Sequence, residues 1–136
     1  MNDSIYISIA SALIALFALL RTFKKDRENA IHNQKALIRA KGYEMLSVKS
    51  WKVKIWNDGE STATNIRFIS KDLEKPDSGI YLQIYKGIFP YPILNKGDSF
   101  EIPASLSEGY NPVPIIKFIW DDEYRKNNER EQVLEF

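Results

Sequence analysis

Asp121-Asp122-Glu123 is the one run of three carboxylates in the sequence, and such a trio could contribute to a Ca²⁺ or Mg²⁺ site. Neighbouring positions on an extended strand face opposite ways, so at most two of these groups converge, and the spaced oxygen ligands of a calcium loop are missing. A solvated turn is the simpler expectation. The chain has no cysteine and one histidine, which removes disulfides, thiolate nucleophiles, thiolate metal sites and any imidazole cluster. His32 lies among polar neighbours and reads as a solvated helix residue rather than a pH sensor. No Gly-x-Ser-x-Gly elbow and no Gly-rich phosphate loop occurs. The sequence therefore predicts a protein that is not an enzyme, with no catalytic residue, cofactor or metal site.

A binding surface has better raw material. Tyr81, Gln83 and Tyr85 alternate with Ile80, Leu82 and Ile84, and the proline-stiffened apolar stretch from Ile88 to Leu94 follows them. Tyr81, Tyr85, Phe89 and Tyr91 are the predicted partner surface, since amphipathic rings are enriched at contacts. The competing expectation is that the stretch folds over one end of the domain and closes its core.

These residues need a scaffold, and 136 residues with 44% hydrophobic and 27% charged content allow one ordinary domain plus an appendage. The appendage is residues 5 to 20, which carry no charge, Pro or Gly. Sixteen residues at about 1.5 Å each cover roughly 24 Å, so crossing a hydrocarbon core of about 30 Å also needs the preceding residues and snorkelling by Arg21. A cleaved signal peptide would place positive charge before the apolar run; here Asp3 precedes it and Arg21, Lys24, Lys25 and Arg27 follow. A retained single-pass span with the following chain in the cytoplasm is expected, at a prokaryotic inner membrane. Residues 21 to 42 hold seven Lys/Arg against two acids, whereas residues 43 to 136 hold twelve against fifteen. The basic stretch is thus juxtamembrane, and an acidic distal domain disfavours nucleic acid as a partner.

Within the span Ser4, Ser8, Ser11, Ala15, Ala18 and Thr22 recur with spacings of four and three. Small residues at a heptad repeat allow close, left-handed helix approach in lipid, so this seam predicts self-association. Ala30, Ile31, Gln34, Leu37 and Ile38 continue a helical period, and Lys41-Gly42 supplies a stop, which predicts a stalk reaching about Ala40. The expected organisation is a transmembrane helix over 1–22, a basic helical stalk over 23–42 and a β domain over 43–136.

In that domain Trp51, Val53 and Ile55 alternate with Lys52, Lys54 and Trp56 before the turn Asn57-Asp58-Gly59-Glu60. Further strands are predicted at 65–70, 80–86, 99–102, 115–120 and 132–136. About seven short strands in this length is the spacing of an all-β immunoglobulin-like sandwich, with a small closed barrel as the alternative.

Trp56-Asn57-Asp58-Gly59-Glu60-Ser61-Thr62-Ala63-Thr64-Asn65-Ile66, followed by Leu94-Asn95-Lys96-Gly97-Asp98-Ser99 and Ile116-Lys117-Phe118-Ile119-Trp120-Asp121, resembles the signature of CARDB-like immunoglobulin-type domains over about residues 48–136. Asn57 and Gly59 suit the turn, Ala63 a crowded crossing, and Ile66 the return to the core. The layout also resembles small prokaryotic single-pass proteins with a cytoplasmic domain of this type, some of which occur beside phage-defence genes. That resemblance implies a membrane effector or accessory of a defence or stress system; a constitutive tethering subunit of a larger membrane-associated complex is the alternative. Membrane lipid, a protein partner and a second copy of the chain are the expected partners, and a small signalling ligand stays open.

Overall fold

The computed structural model describes residues 2–45, 50–75, 78–82, 85–107 and 113–136, the side chains of Tyr85 and Lys86 excepted. The chain forms two units, Met1–Asn33 and Gln34–Phe136.

The first unit is one helix, α1 (Asn2–Asn33). Its apolar positions include no helix breaker, and none of its residues is buried. By length and composition it can cross a membrane. The helix ends seven residues before the predicted limit at Ala40. Residues 36 to 42 instead alternate with period two: Ala36, Ile38, Ala40 and Gly42 are buried, while Arg39 and Lys41 turn outward. Burial of this face in a sheet overrides the helical period that Ala30, Ile31, Leu37 and Ile38 share.

The second unit contains β1 (Ile38–Met45), β2 (Ser50–Asn57), β3 (Ala63–Ile69), β4 (Ile80–Leu82), a one-turn helix α2 (Tyr85–Ile88), β5 (Tyr91–Leu94), β6 (Ser99–Leu106), β7 (Ile115–Asp121) and β8 (Asn128–Val133). Antiparallel pairing builds two four-stranded sheets, β1-β2-β6-β4 and β5-β3-β7-β8, a β-sandwich-like arrangement with no closed barrel among the described residues. The predicted strand over 80–86 ends at Leu82 and gives way to α2, and Gln83 and Ile84 lie outside the described residues. The last strand lies earlier than the predicted 132–136, at Asn128–Val133.

The core draws on both sheets: Ile38, Val53, Ile55 and Ile102 from the first meet Ile66, Leu94, Ile116 and Phe118 from the second, with Leu134 beyond β8. Each such side chain contributes roughly 1.5–3 kcal/mol through removal of its apolar surface from water. Trp51, expected in this core, lies half-buried at its margin, edge-on to Phe136 at 5.6 Å.

Two irregularities set the register. Thr64 faces Asp121 but Arg67 faces Ile119, so β3 carries one extra residue, taken up by Asn65 at φ 49°. The second is the Asn57 crossing between sheets. The Asn57 side chain is fully buried; its Oδ1 accepts from Leu37 N at 3.1 Å and Gly59 N at 3.0 Å, while Nδ2 donates to Ser61 O at 2.7 Å and Leu94 O at 2.9 Å. Gly59 packs so tightly that an added Cβ would lie 2.5 Å from Leu37 N and 2.6 Å from the Ala36 backbone.

Gly59→Ala must therefore displace main chain, whereas Gly87→Ala meets nothing within 4 Å. In urea unfolding of the full chain in detergent, followed by tryptophan fluorescence, Gly59→Ala is expected to destabilise strongly and Gly87→Ala to stay within about 1 kcal/mol of the parent. Asn57→Ala, which strands several buried groups, is expected to cost about 3 kcal/mol or more. Equal stability for the two alanine-for-glycine variants would refute the close approach at Gly59.

Candidate functional site

On α1 the positions Ser4, Ser8, Ser11, Ala15, Ala18 and Thr22 fall within an arc of about 80° at 100° per residue, and all are exposed on the isolated helix. The Thr22 hydroxyl donates to Ala18 O at 3.0 Å, which satisfies it within the helix. Ile7, Ile14 and Phe17, among other bulky side chains, occupy the remaining circumference. Arg21, Lys24, Lys25 and Arg27 follow within two turns of the apolar run, the Arg21 guanidinium lying 6.0 Å from the Phe17 ring centroid.

Of the four rings expected to form one contact surface, the three that are described separate. Tyr81 on β4 points outward and is 65% exposed. Phe89 packs against Phe68 at 5.4 Å and Phe100 at 5.9 Å, and Tyr91 stacks on Phe100 at 3.9 Å with the planes 7° apart. Phe89 and Tyr91 thus close the sandwich core, as the competing expectation had it. The Tyr85 side chain lies outside the described residues.

Two of the three carboxylates, Asp121 and Asp122, are spent on turn geometry. Asp121 Oδ1 accepts from Asn127 N at 2.8 Å, and Arg67 stands 3.7 Å away. Asp122 Oδ1 accepts from the backbone of Tyr124 and Arg125, and its Oδ2 from Ala36 N at 2.9 Å. These two side chains cap the β7–β8 turn, in which Asn127 takes φ 55°, and fasten the strand entry at Ala36.

A different cluster emerges on the outer face of the first sheet. Arg39, Lys41 and Tyr43 alternate outward on β1; Lys52, Lys54 and Trp56 do so on β2, and register places Arg39 opposite Trp56, Lys41 opposite Lys54 and Tyr43 opposite Lys52. The acid on the adjoining β6 face is Glu101, which accepts from the Tyr43 hydroxyl and from Lys52 Nζ at 3.3 Å. The Tyr43 hydrogen bond holds the Glu101 carboxyl below the usual range and raises the Tyr43 phenol. Arg39 pairs with Asp58 at 3.0 Å. Lys52, Lys54 and Trp56 share an outward face in the sequence as well, whereas Arg39 and Lys41 fall on the predicted stalk; their alternation with Ile38, Ala40 and Gly42 is the sequence trace of β1, and pairing with β2 makes it decisive.

The other outer face is balanced differently, with Lys117 between Glu129 at 3.5 Å and Glu131 at 3.9 Å and with Arg67 near Asp121.

The Asn127 N–H, before the smaller contributions of Asn65 and Arg67, holds the Asp121 carboxyl below its ordinary value of 3.8. Asp72 is lowered likewise, first by the Ile115 N–H at 2.9 Å and then by Lys75. A depressed folded-state value stabilises the fold above the unfolded value and ceases to do so as pH falls through the folded one. The thermal midpoint should accordingly be flat near neutrality, begin to decline below pH 4.5 through Glu101, and decline further below pH 3.8 through Asp121 and Asp72. Asp121→Asn should lower the midpoint at neutral pH and flatten that acid limb in a calorimetric pH series; an unchanged limb would remove Asp121 from the account.

Comparison of the chain with protein-family models, curated proteins and solved structures finds no match.

Proposed function

We propose that this chain is a membrane-anchored, non-catalytic binding protein: α1 spans the bilayer, the β-sandwich lies in the cytoplasm, and the sandwich engages a partner or ligand. The observation that carries this reading is α1 itself. Its large apolar side chains from Ile5 to Phe23 are 51–71% exposed and distributed around the helix, and no residue of it is buried. A helix apolar on all sides needs lipid or protein around it, and the following unit has a core of its own. Orientation is argued from Arg21, Lys24, Lys25 and Arg27, which flank the span on its C-terminal side only.

Within this reading the seam on α1 serves self-association, so that an event at the sandwich is felt between copies in the membrane. The resemblance to CARDB-like domains on single-pass proteins supports an effector or accessory in a prokaryotic defence or stress system. Its support is the sequence from Trp56 to Ile66, whose Asn57, Gly59, Ala63 and Ile66 occupy the crossing, the close approach and the core.

A reporter fused after Phe136 is expected to behave as cytoplasmic, and the chain to stay in the membrane pellet after alkaline carbonate extraction. A reporter active only outside the cytoplasm would overturn the orientation, and release by carbonate would overturn the anchor. The seam has its own test. Ala15→Leu pushes backbones apart where association depends on close packing, whereas Leu16→Ala, outside the seam, leaves the contact intact. Cross-linking at matched expression should drop severalfold for Ala15→Leu and little for Leu16→Ala; equal yields for parent and Ala15→Leu would leave α1 a passive anchor.

A further inference from the structure

Lys41 on β1 and Lys54 on β2 are direct cross-strand partners on the outer face of the first sheet. Side chains so placed have Cβ atoms about 4.5–5.5 Å apart, and like charges there oppose pairing. Lys52 pairs with Glu101 and Arg39 with Asp58, and Lys54 stands across from Glu101 on β6, so this face sets Arg39, Lys41, Lys52 and Lys54 against Glu101 and Asp58. The face thus keeps an excess of positive charge over Glu101, the acid that Lys52 and Lys54 share. Lys41, Tyr43, Lys54 and Trp56, with Gly97, line one depression of about 300 Å³. Lys54 Nζ lies 6.0 Å from the Trp56 ring centroid.

Two ammonium groups beside Tyr and Trp rings, on a face with more cations than acids, suit a phosphate that arrives with an apolar neighbour. Tyr and Trp favour the headgroup level of a bilayer, and Lys and Arg are drawn to an anionic leaflet. We propose that this face docks on the anionic leaflet of the membrane that α1 crosses, with a lipid phosphate seated between Lys41 and Lys54. The inference rests on the membrane-anchored, cytoplasmic reading above. Charge complementarity selects the face: the opposite sheet sets Arg67 and Lys117 against Asp121, Glu129 and Glu131, and an anionic surface would repel it. Connectivity selects the occupant, because only fifteen residues separate Thr22, the end of the predicted span, from Ile38, and this tether keeps the leaflet at high effective concentration.

The absence of cysteine from the chain makes a direct test available. Ser99→Cys adds one thiol beside Trp56, and Ile93→Cys adds one on an exposed position of the other sheet. The full-length variants are placed in nanodiscs of phosphatidylcholine alone or with phosphatidylserine and labelled with a water-soluble maleimide. Phosphatidylserine is expected to slow labelling at Ser99→Cys on the order of tenfold and to leave Ile93→Cys unchanged. That protection should vanish in 1 M salt, where the screening length falls to about 3 Å, and in the Lys41→Gln/Lys54→Gln background. Equal labelling of Ser99→Cys in the two bilayers would overturn the docking while leaving the anchor in place; failure to enter nanodiscs would overturn both. Protection by free inorganic phosphate or ATP but not by phosphatidylserine would give the depression to a soluble phosphate ligand and overturn the bilayer as occupant. Equal protection at Ile93→Cys, or protection that survives the double lysine variant, would overturn the assignment of the face.

Discussion

The carboxamide of Asn57 is the constraint on which the sandwich depends. It sits at the end of β2, where the chain leaves one sheet for the other, and there it binds the entry to β1, the crossing to β3 and the end of β5. Its main chain adds bonds to Asp98 and Gly97 ahead of β6. A buried amide with both donors and both acceptor positions filled fixes one arrangement of the strands around it, because each alternative leaves a polar group without a partner in a medium of low dielectric. Aspartate has nothing to donate to the carbonyls of Ser61 and Leu94, and serine offers a single hydroxyl. The same point explains Gly59: the backbone at Ala36 and Leu37 lies where a Cβ would stand.

The sandwich has two exposed sides where its sheets meet, and the β1/β8 side is closed by side-chain chemistry instead of a further strand. Gln132 Nε2 donates to Ala40 O at 2.7 Å while its Oε1 accepts from Ala40 N at 3.3 Å, so one amide stands in for a neighbouring strand. Gly42 N donates to Glu135 O at 2.8 Å, and the Phe136 ring fills the space above Gly42. At the opposite margin β5 contains Pro92 and β4 is three residues long. Both devices limit edge-to-edge pairing of sheets between molecules. What such a domain offers to others is accordingly its outer faces.

The helix, the sheet class and the crossing were legible in the sequence because each rests on local signals: an uncharged run, a period of two, and an Asn-x-Gly turn followed by Ala63 and Ile66. The errors fall where the deciding contact is distant in sequence. Residues 34 to 40 satisfy a helical and an alternating pattern equally well, and only pairing with β2 and burial of Ile38 decide between them. Tyr91 to Leu94 falls between the predicted strands, yet it forms the edge strand beside β3, a place that tolerates the N–H missing from Pro92. Phe89 and Tyr91 looked exposed because the sequence cannot show Phe68 and Phe100 arriving against them. The outer cluster on β1 and β2 is half-visible, since Arg39 and Lys41 fall on the predicted stalk.

β1 is where these separate requirements converge. It is the strand that follows α1, its inner side supplies Ile38 and Ala40 to the core, and its free edge is held by Gln132 and Glu135. A strand constrained on three sides cannot slip by one residue, because a slip would place Arg39 and Lys41 in the core and Ile38 in water. The register fixed at Asn57 therefore also fixes where Lys41 meets Lys54, a pairing that local electrostatics alone would avoid. The position of those charges is a consequence of the core, and the two lysines stay at hand for an external anion because the interior leaves them no other place.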